Sequence, residues 1–400
     1  MLSKLVRLKN IGFMAGFAVV AWVGWGTCSY FLDTTLPEVT ISGMQEGGCY
    51  CGDTQCGVAS SKKGDVSVWL DGQPLINNFR MGACSEHPFT IPTRTIANGE
   101  HKLKIEVCDR TFQGNKACVE RTFKVDNLAL QAAFVKTEAD NKVFQGRTLH
   151  VQFQVNKPIK EASVRTLSQV YECFQEAPQS TVYECFIPIA CEENPNEFAL
   201  SIAIADHVGN TLTLDDKFQV VPYPFKTQNL QLSKDKVTEE KSLGKAIAER
   251  ERVLEELTKK SPHEKLWHGA FCAPIDIHRV TCDFGTVRTT QEKGRYKHKA
   301  LDVYSAPKGI VWATHNGVVV LKDRYEDAGN TVVVDHGHGV LSLFYHLDDF
   351  ARIEVGQKVA QGNPLGTLGK TGYATGYHLH WEMRVNNIAV DPMQWTKASF

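Results

Sequence analysis

The chain has 400 residues, 42% of them hydrophobic and 22% charged, with a formal net charge of −1. That length implies more than one domain. The near-balance of 44 Lys and Arg against 45 Asp and Glu argues against nucleic acid as a partner, because phosphate binding needs a basic surface.

Residues Ile11 to Leu32 carry no charge and no proline, and most are apolar. Such a run can span a roughly 30 Å hydrocarbon core. Lys4, Arg7 and Lys9 precede it, while Asp33 and Glu38 follow, which places the amino end in the cytoplasm. Trp22, Trp25, Tyr30 and Phe31 gather at the far edge as an aromatic belt would. We therefore expect a cytoplasmic tail over 1–10, a transmembrane signal anchor over 11–32, and an extracytoplasmic, periplasmic remainder. The same run also fits a cleaved signal peptide cut near Gly24 and Gly26; a lipoprotein anchored through Cys28 fits poorly, with Trp25 where a small aliphatic residue belongs. In every case the bulk of the chain is exported.

Six cysteines, Cys49, Cys51, Cys56, Cys84, Cys108 and Cys118, fall within one domain-sized segment. In an oxidising compartment they read as up to three disulfides. Cys272 and Cys282 flank a short loop and are expected to pair, while Cys173, Cys185 and Cys191 leave an odd thiol.

From Pro37 to about Pro222 short β-rich runs alternate with turn signals, and the pattern repeats. Gly99–Asp109, Gly114-Asn115 and Thr122–Val125 form one copy; Phe198–Asp206, Gly209-Asn210 and Lys217–Val220 form the next. Asn115 to Asn210 and Phe123 to Phe218 are each 95 residues apart, the period of one β-sandwich. The pattern resembles bacterial immunoglobulin-like modules, over 36–127 and 128–224. Two such modules in series suit a spacer that also offers surfaces to envelope proteins.

Ser233 to Lys260 is rich in Glu and Lys, with Leu243, Ile247, Leu254 and Leu257 at helical spacing. This predicts an amphipathic helix, weakened at Gly244, within a linker over 225–264. Its apolar stripe suits docking on a neighbouring domain, or covering a cleft. Ser261-Pro-His-Glu264 has the form of a capping box for a short turn.

The last third of the chain holds five side chains in a fixed order: His298, Asp302, His346, His378 and His380. Strand side chains alternate, so residues two or four apart share a face. His298 and Asp302 can point one way from one strand, and His378 and His380 from another. Two imidazoles and a carboxylate suffice to hold zinc with a fourth position open to water, the layout of a catalytic rather than a structural site. A second His-x-His, His336 and His338 between glycines, reads as a strand end and tight turn. His263, His268, His278 and His315 read as surface or rim residues, Trp267 and Trp381 as core, and Tyr345 and Asn330 as candidates to line the cleft.

With Phe284-Gly285-x-x-Arg288, Gly317-Val-Val319, Gly356-x-x-Val359 and Gly369-x-Thr-Gly372-x-x-x-Gly376, residues 266–397 resemble the catalytic domain of lysostaphin/LytM-type zinc endopeptidases that cut peptidoglycan. The resemblance implies one Zn2+ per chain on His298, Asp302 and His380. It also implies that His346 and His378 are unligated groups handling protons and charge at the scissile carbonyl. Tyr377 departs from the family's usual proline without removing a ligand. No His-Glu-x-x-His helix supplies a glutamate base, so histidine is the available base.

The expected molecule is thus mainly β. It comprises an N-terminal transmembrane helix, two immunoglobulin-like β-sandwiches, an amphipathic helical linker and a C-terminal antiparallel-β lysostaphin-type peptidase domain over 265–400. It would be a zinc endopeptidase acting on peptidoglycan stem peptides and cross-links at the membrane. The alternatives are a catalytically silent scaffold for other wall hydrolases and a protease of exported proteins.

Overall fold

The computed structural model describes residues 27, 30–135, 141–231, 234–290 and 294–398. The expected cytoplasmic tail lies outside these, as does the expected membrane span apart from Thr27 and Tyr30–Leu32. Among the described residues no helix is long and apolar enough to cross a membrane. The described chain divides into two compact units. One runs to Ala129 and takes in His207–Asn210; the other begins at Leu130 and holds the rest.

The first unit is a two-sheet sandwich. Strands Val39–Ser42, Thr54–Ser60 and Glu86–Ile91 make one sheet, and Cys49–Tyr50, Lys116–Val125, Gly99–Asp109, Gly64–Leu70 and Gln73–Met81, in that order, make the other. Alternation builds its core: Leu103, Ile105 and Val107 are fully buried, while Lys104 and Glu106 between them stay partly open. Disulfides are not formed at five of the six clustered cysteines: Cys51, Cys56, Cys84, Cys108 and Cys118 are thiols. Cys56 points into the core whereas Cys51, Cys84 and Cys118 are exposed, so these side chains face different directions.

The second sandwich has a five-stranded sheet ordered Lys142–Phe144, Thr211–Val221, Glu197–Asp206, Ile159–Thr166 and Gln169–Glu172. This sheet repeats the five-stranded sheet of the first sandwich down to the short parallel edge strand, Cys49–Tyr50 beside Lys116–Val125 there and Lys142–Phe144 beside Thr211–Val221 here. This sandwich is not a free spacer. Its Phe186 is buried among Trp267, Phe271, Met383 and Trp395 of the C-terminal domain. Glu184, fully buried, accepts from Lys265 Nζ at 2.9 Å and lies 2.9 Å from His150 Nε2.

The C-terminal domain is built on an eight-stranded antiparallel sheet. Its strands are β1 (Arg279–Cys282), β2 (Leu301–Tyr304), β3 (Gly317–Tyr325), β4 (Gly329–Asp335), β5 (Val340–Leu347), β6 (Lys358–Val359), β7 (Leu379–Val385) and β8 (Ile388–Val390), with spatial order β1-β2-β7-β5-β4-β3-β6 and β8 on β7. Every residue of β5 is buried, because both faces of the sheet are covered.

One cover is the expected linker, which is packed into this domain. Thr227–Asn229 pairs in parallel with Val287–Thr290. Two helices follow, α1 (Lys234–Ser242) and α2 (Gly244–Lys259), divided where Gly244 lowers helix propensity. Leu254 of α2 is buried against Leu321, Val333, Leu341, Leu343 and Tyr345. No capping-box turn forms at Ser261; its hydroxyl donates to Asp335 Oδ1 at 2.7 Å and accepts from Gly339 N at 3.0 Å. It thereby ties down the β4–β5 turn that carries His336 and His338. His336 is fully buried, with Nδ1 2.7 Å from the Asn316 carbonyl and Nε2 2.8 Å from Ser342 Oγ, so both its nitrogens are engaged. His338 stacks on Phe174 of the second sandwich at 3.9 Å. His315, expected at the surface, is buried, its Nε2 3.1 Å from the His268 carbonyl.

Two outcomes are expected. Leu254→Ala should cost roughly 2–5 kcal/mol of stability, read by denaturant unfolding; a change below about 0.5 kcal/mol would mean that α2 is only peripheral. Burial pushes His336 down to about 3 and His338 down to about 4. Groups with depressed values bind protons more readily in the unfolded chain, so the stability they confer is present above about pH 6.5 and lost as pH falls toward 4. The thermal midpoint should therefore drop steadily between those values, and a rise over that range would contradict the assignment.

Candidate metal centre

Register assembles the site. Cys282 of β1 faces Asp302 of β2, Asp302 faces His380 of β7, and His380 faces Tyr345 of β5. Directly opposed residues project to the same side, so these four form one row across four strands. His378, two residues before His380, projects to that side as well. His298 lies four residues before Asp302, just ahead of β2, and its backbone N–H donates to the Thr286 carbonyl.

Adjacent Tyr345 and His346 ought to point to opposite faces. The β4–β5 pairing slips between Asn330 and Val332, so that Tyr345 and His346 together oppose Thr331 alone, and His346 adopts a left-handed φ of 63°. This bulge re-aims the side chain and brings both residues to the site. The His346 ring lies 4.9 Å from His378 and 5.8 Å from His380 between centroids.

At the centre, Asp302 Oδ1 stands 3.0 Å from both His298 Nε2 and His380 Nδ1, and 3.9 Å from His378 Nε2. His298 Nε2 is buried without a hydrogen-bond partner. Two ring nitrogens and a carboxylate oxygen converging in this way, one nitrogen orphaned, suit a divalent cation, and the donor set fits zinc. Arg288 supports the cluster from the far side, with Nη2 3.2 Å from Asp302 Oδ2 and Nη1 3.1 Å from His298 Nδ1. Cys282 is here too, its sulfur within 4.8 Å of ligand atoms of His298 and Asp302. The expected Cys272–Cys282 disulfide is accordingly not formed: Cys282 faces the metal-capable row, while Cys272 Sγ contacts the Ala313 carbonyl.

The charges follow from these contacts. Burial would raise the Asp302 carboxyl, but the imidazoles of His298 and His380 outweigh it and hold Asp302 well below its ordinary value. Burial lowers His298. It also opposes the cation at His380, yet Asp302 and Glu382 hold that ring above the usual imidazole value. Burial and the neighbouring His380 and His378 push His346 down to about 3. His346 Nδ1 lies 2.8 Å from the Thr371 carbonyl and His378 Nδ1 2.9 Å from the Gly376 carbonyl. A carbonyl only accepts, so Nδ1 is the donor in each ring, which in a neutral imidazole leaves Nε2 as the acceptor.

All five side chains line a cleft of about 940 Å³ that is also bordered by Glu240 of α1, Leu243 between the helices and Ile247 of α2. The sequence pattern located these five and Tyr345. Asn330 is engaged elsewhere, donating to the Asp348 carbonyl. Sequence reasoning missed Cys282, the supporting contacts of Arg288, and the charged residues on α2. For Arg288 the signal was its place in a motif; for α2, a Glu-Arg-Glu-Arg run indistinguishable from a solvated face.

Paired histidines around a His–Asp–His cluster on an antiparallel sheet are the apparatus of a metal-dependent hydrolase. Residues 296–392 match the model of peptidase family M23, and the chain carries an M23 metallopeptidase domain. It is similar to peptidoglycan DD-endopeptidase ShyC of Vibrio cholerae, 37% identical over 122 residues, which cover 30% of this chain and 28% of that protein. It is also similar to DD-carboxypeptidase/endopeptidase Mpg of Neisseria meningitidis, 40% identical over 97 residues, 24% of this chain and 22% of that one. The chain thus spans less than a third of either relative. The catalytic domain of lysostaphin from Staphylococcus simulans is 25% identical, covering 32% of this chain and 90% of that domain at a TM-score of 0.25.

Proposed function

We propose that this protein is a zinc endopeptidase of the cell envelope that hydrolyses peptide bonds in peptidoglycan stem peptides and cross-links. The observation that carries this reading is the approach of His298 Nε2 and His380 Nδ1 to one oxygen of Asp302, with the His346 and His378 side chains lining the same cleft. The similar proteins named as peptidoglycan DD-endopeptidases support the substrate class. His298, Asp302 and His380 would hold one zinc per chain, which when bound supplies a Lewis acid for the scissile carbonyl and acidifies water. His346 and His378, outside the ligand set, would between them handle the proton and the oxyanion at the scissile carbonyl. Arg288 keeps Asp302 oriented. Residues 11–32 would anchor the chain in the cytoplasmic membrane with the cleft on the periplasmic side, and the first sandwich would space it and meet envelope proteins.

Zymography on peptidoglycan, with and without chelator, tests the reading directly. Clearing that chelator abolishes and zinc restores is expected; clearing indifferent to chelator would end the zinc assignment. His380→Ala should lose tight zinc binding, whereas His346→Ala and His378→Ala should keep the metal and lose roughly 100-fold or more of turnover. Elemental analysis showing stoichiometric zinc in folded His380→Ala would remove that ligand from the set. Zinc must displace the proton that Asp302 and Glu382 stabilise on His380, so affinity should weaken as pH falls from 8 to 6. A pH-independent affinity over that range would contradict ligation by His380.

A further inference from the structure

β7 and the residue before it carry His378, His380, Glu382 and Arg384 at alternate positions, so all four share the face that bears the site. His380 turns Nδ1 toward Asp302, and its other nitrogen, Nε2, lies 3.8 Å from Glu382 Oε2. Glu382 Oε1 accepts from Arg384 Nε at 2.5 Å. Arg384 in turn donates through Nη1 and Nη2 to the two oxygens of Glu251 on α2, at 2.7 and 2.9 Å. The preceding residue, Arg250, donates Nη1 to the Tyr345 hydroxyl at 2.9 Å and Nε to Asp327 at 3.0 Å. Tyr345 lies flat on the His380 ring, centroids 5.0 Å apart and planes 13° from parallel. One imidazole is therefore held at an edge and over a face, and both supports run back to consecutive residues of one helix.

Glu382, Arg384 and Arg250 are buried, and burying charge costs more than filling the same space with apolar side chains. A staple between helix and sheet would not need them, since Leu254 already provides that packing. What the charges add is orientation. A carboxylate facing the outer nitrogen of a ligand imidazole, here at 3.8 Å, favours the tautomer that keeps the proton on that nitrogen and leaves the inner one for the metal.

We propose that α2, which lies outside residues 296–392, is part of the metal centre. Glu382 is the positioning residue that holds His380, Arg384 and Glu251 fix Glu382, and Arg250 fixes the Tyr345 ring against the same imidazole. This rests on His380 being a zinc ligand, as proposed above.

The test uses the full chain and titrates zinc against a chromophoric chelator, with kcat and KM measured in parallel. Glu382→Gln and Glu251→Ala should each weaken zinc affinity about tenfold or more and lower kcat while leaving KM near the wild-type value. Glu251→Asp should recover most of the loss, which a generally loosened fold would not do. Far-UV circular dichroism at the assay temperature establishes that each variant is folded. If Glu251→Ala is not, Tyr345→Phe, which removes only the hydroxyl that Arg250 holds, takes its place with a several-fold loss of affinity expected. Folded variants with wild-type zinc affinity and kcat would overturn the proposal and leave a structural staple. Wild-type protein that takes up no more zinc than His380→Ala would instead overturn the zinc reading, so the two failures are distinguishable.

Discussion

Asp302 is a carboxylate with 4% of its surface exposed, and an isolated charge in that position is not tolerated. Much of the local architecture answers that constraint. Imidazoles stand at one oxygen and a guanidinium at the other. The strands that deliver them, β2 and β7, are neighbours, while Arg288 lies on Val287–Thr290 and His298 just past its antiparallel partner Gly294–Lys297. The arrangement is polarised. Arg288 holds the outer oxygen, so the inner one, with its two flanking ring nitrogens, is left for a cation.

A second layer of charge lies on the same face. Glu382 and Arg384 continue the alternation that begins with His378, and α2 closes it off. An apolar strand would have been easier to bury there. The layer makes sense because a metal site needs ligands held in one orientation as well as present. The residue pattern and the docked helix are thus joined by one run of charge contacts, from Glu382 through Arg384 to Glu251, whose ends lie more than a hundred residues apart in sequence.

Much of this was legible in the chain. The 95-residue period pointed to two sandwiches, and the five-stranded sheet of one has the same strand order as that of the other. His-x-x-x-Asp and His-x-His pointed to the side chains that converge on Asp302, because strand alternation is a local rule. Other features escaped because they depend on non-local geometry. The bulge that turns His346 toward the site is set by how β4 pairs with β5, and nothing in Phe-Tyr-His-Leu encodes it. The α2 stripe gave a helix but not the sheet that receives it. The cysteines misled: spacing suggested disulfides, but Cys56 faces a core and Cys282 the metal-capable row. Which side a cysteine faces depends on its strand's register.

The burial of Phe186 has a practical side. The stretch recognisable by family similarity and the stretch that folds are different objects. A recombinant fragment trimmed to residues 265–400 would uncover Trp267, Phe271 and Trp395 where Phe186 now sits. On the opposite face it would bare Val333, Leu341 and Leu343 where Leu254 sits. Two fresh oily surfaces on one small β domain invite self-association. Poor solubility of such a fragment would therefore report on where it was cut and say nothing about its chemistry.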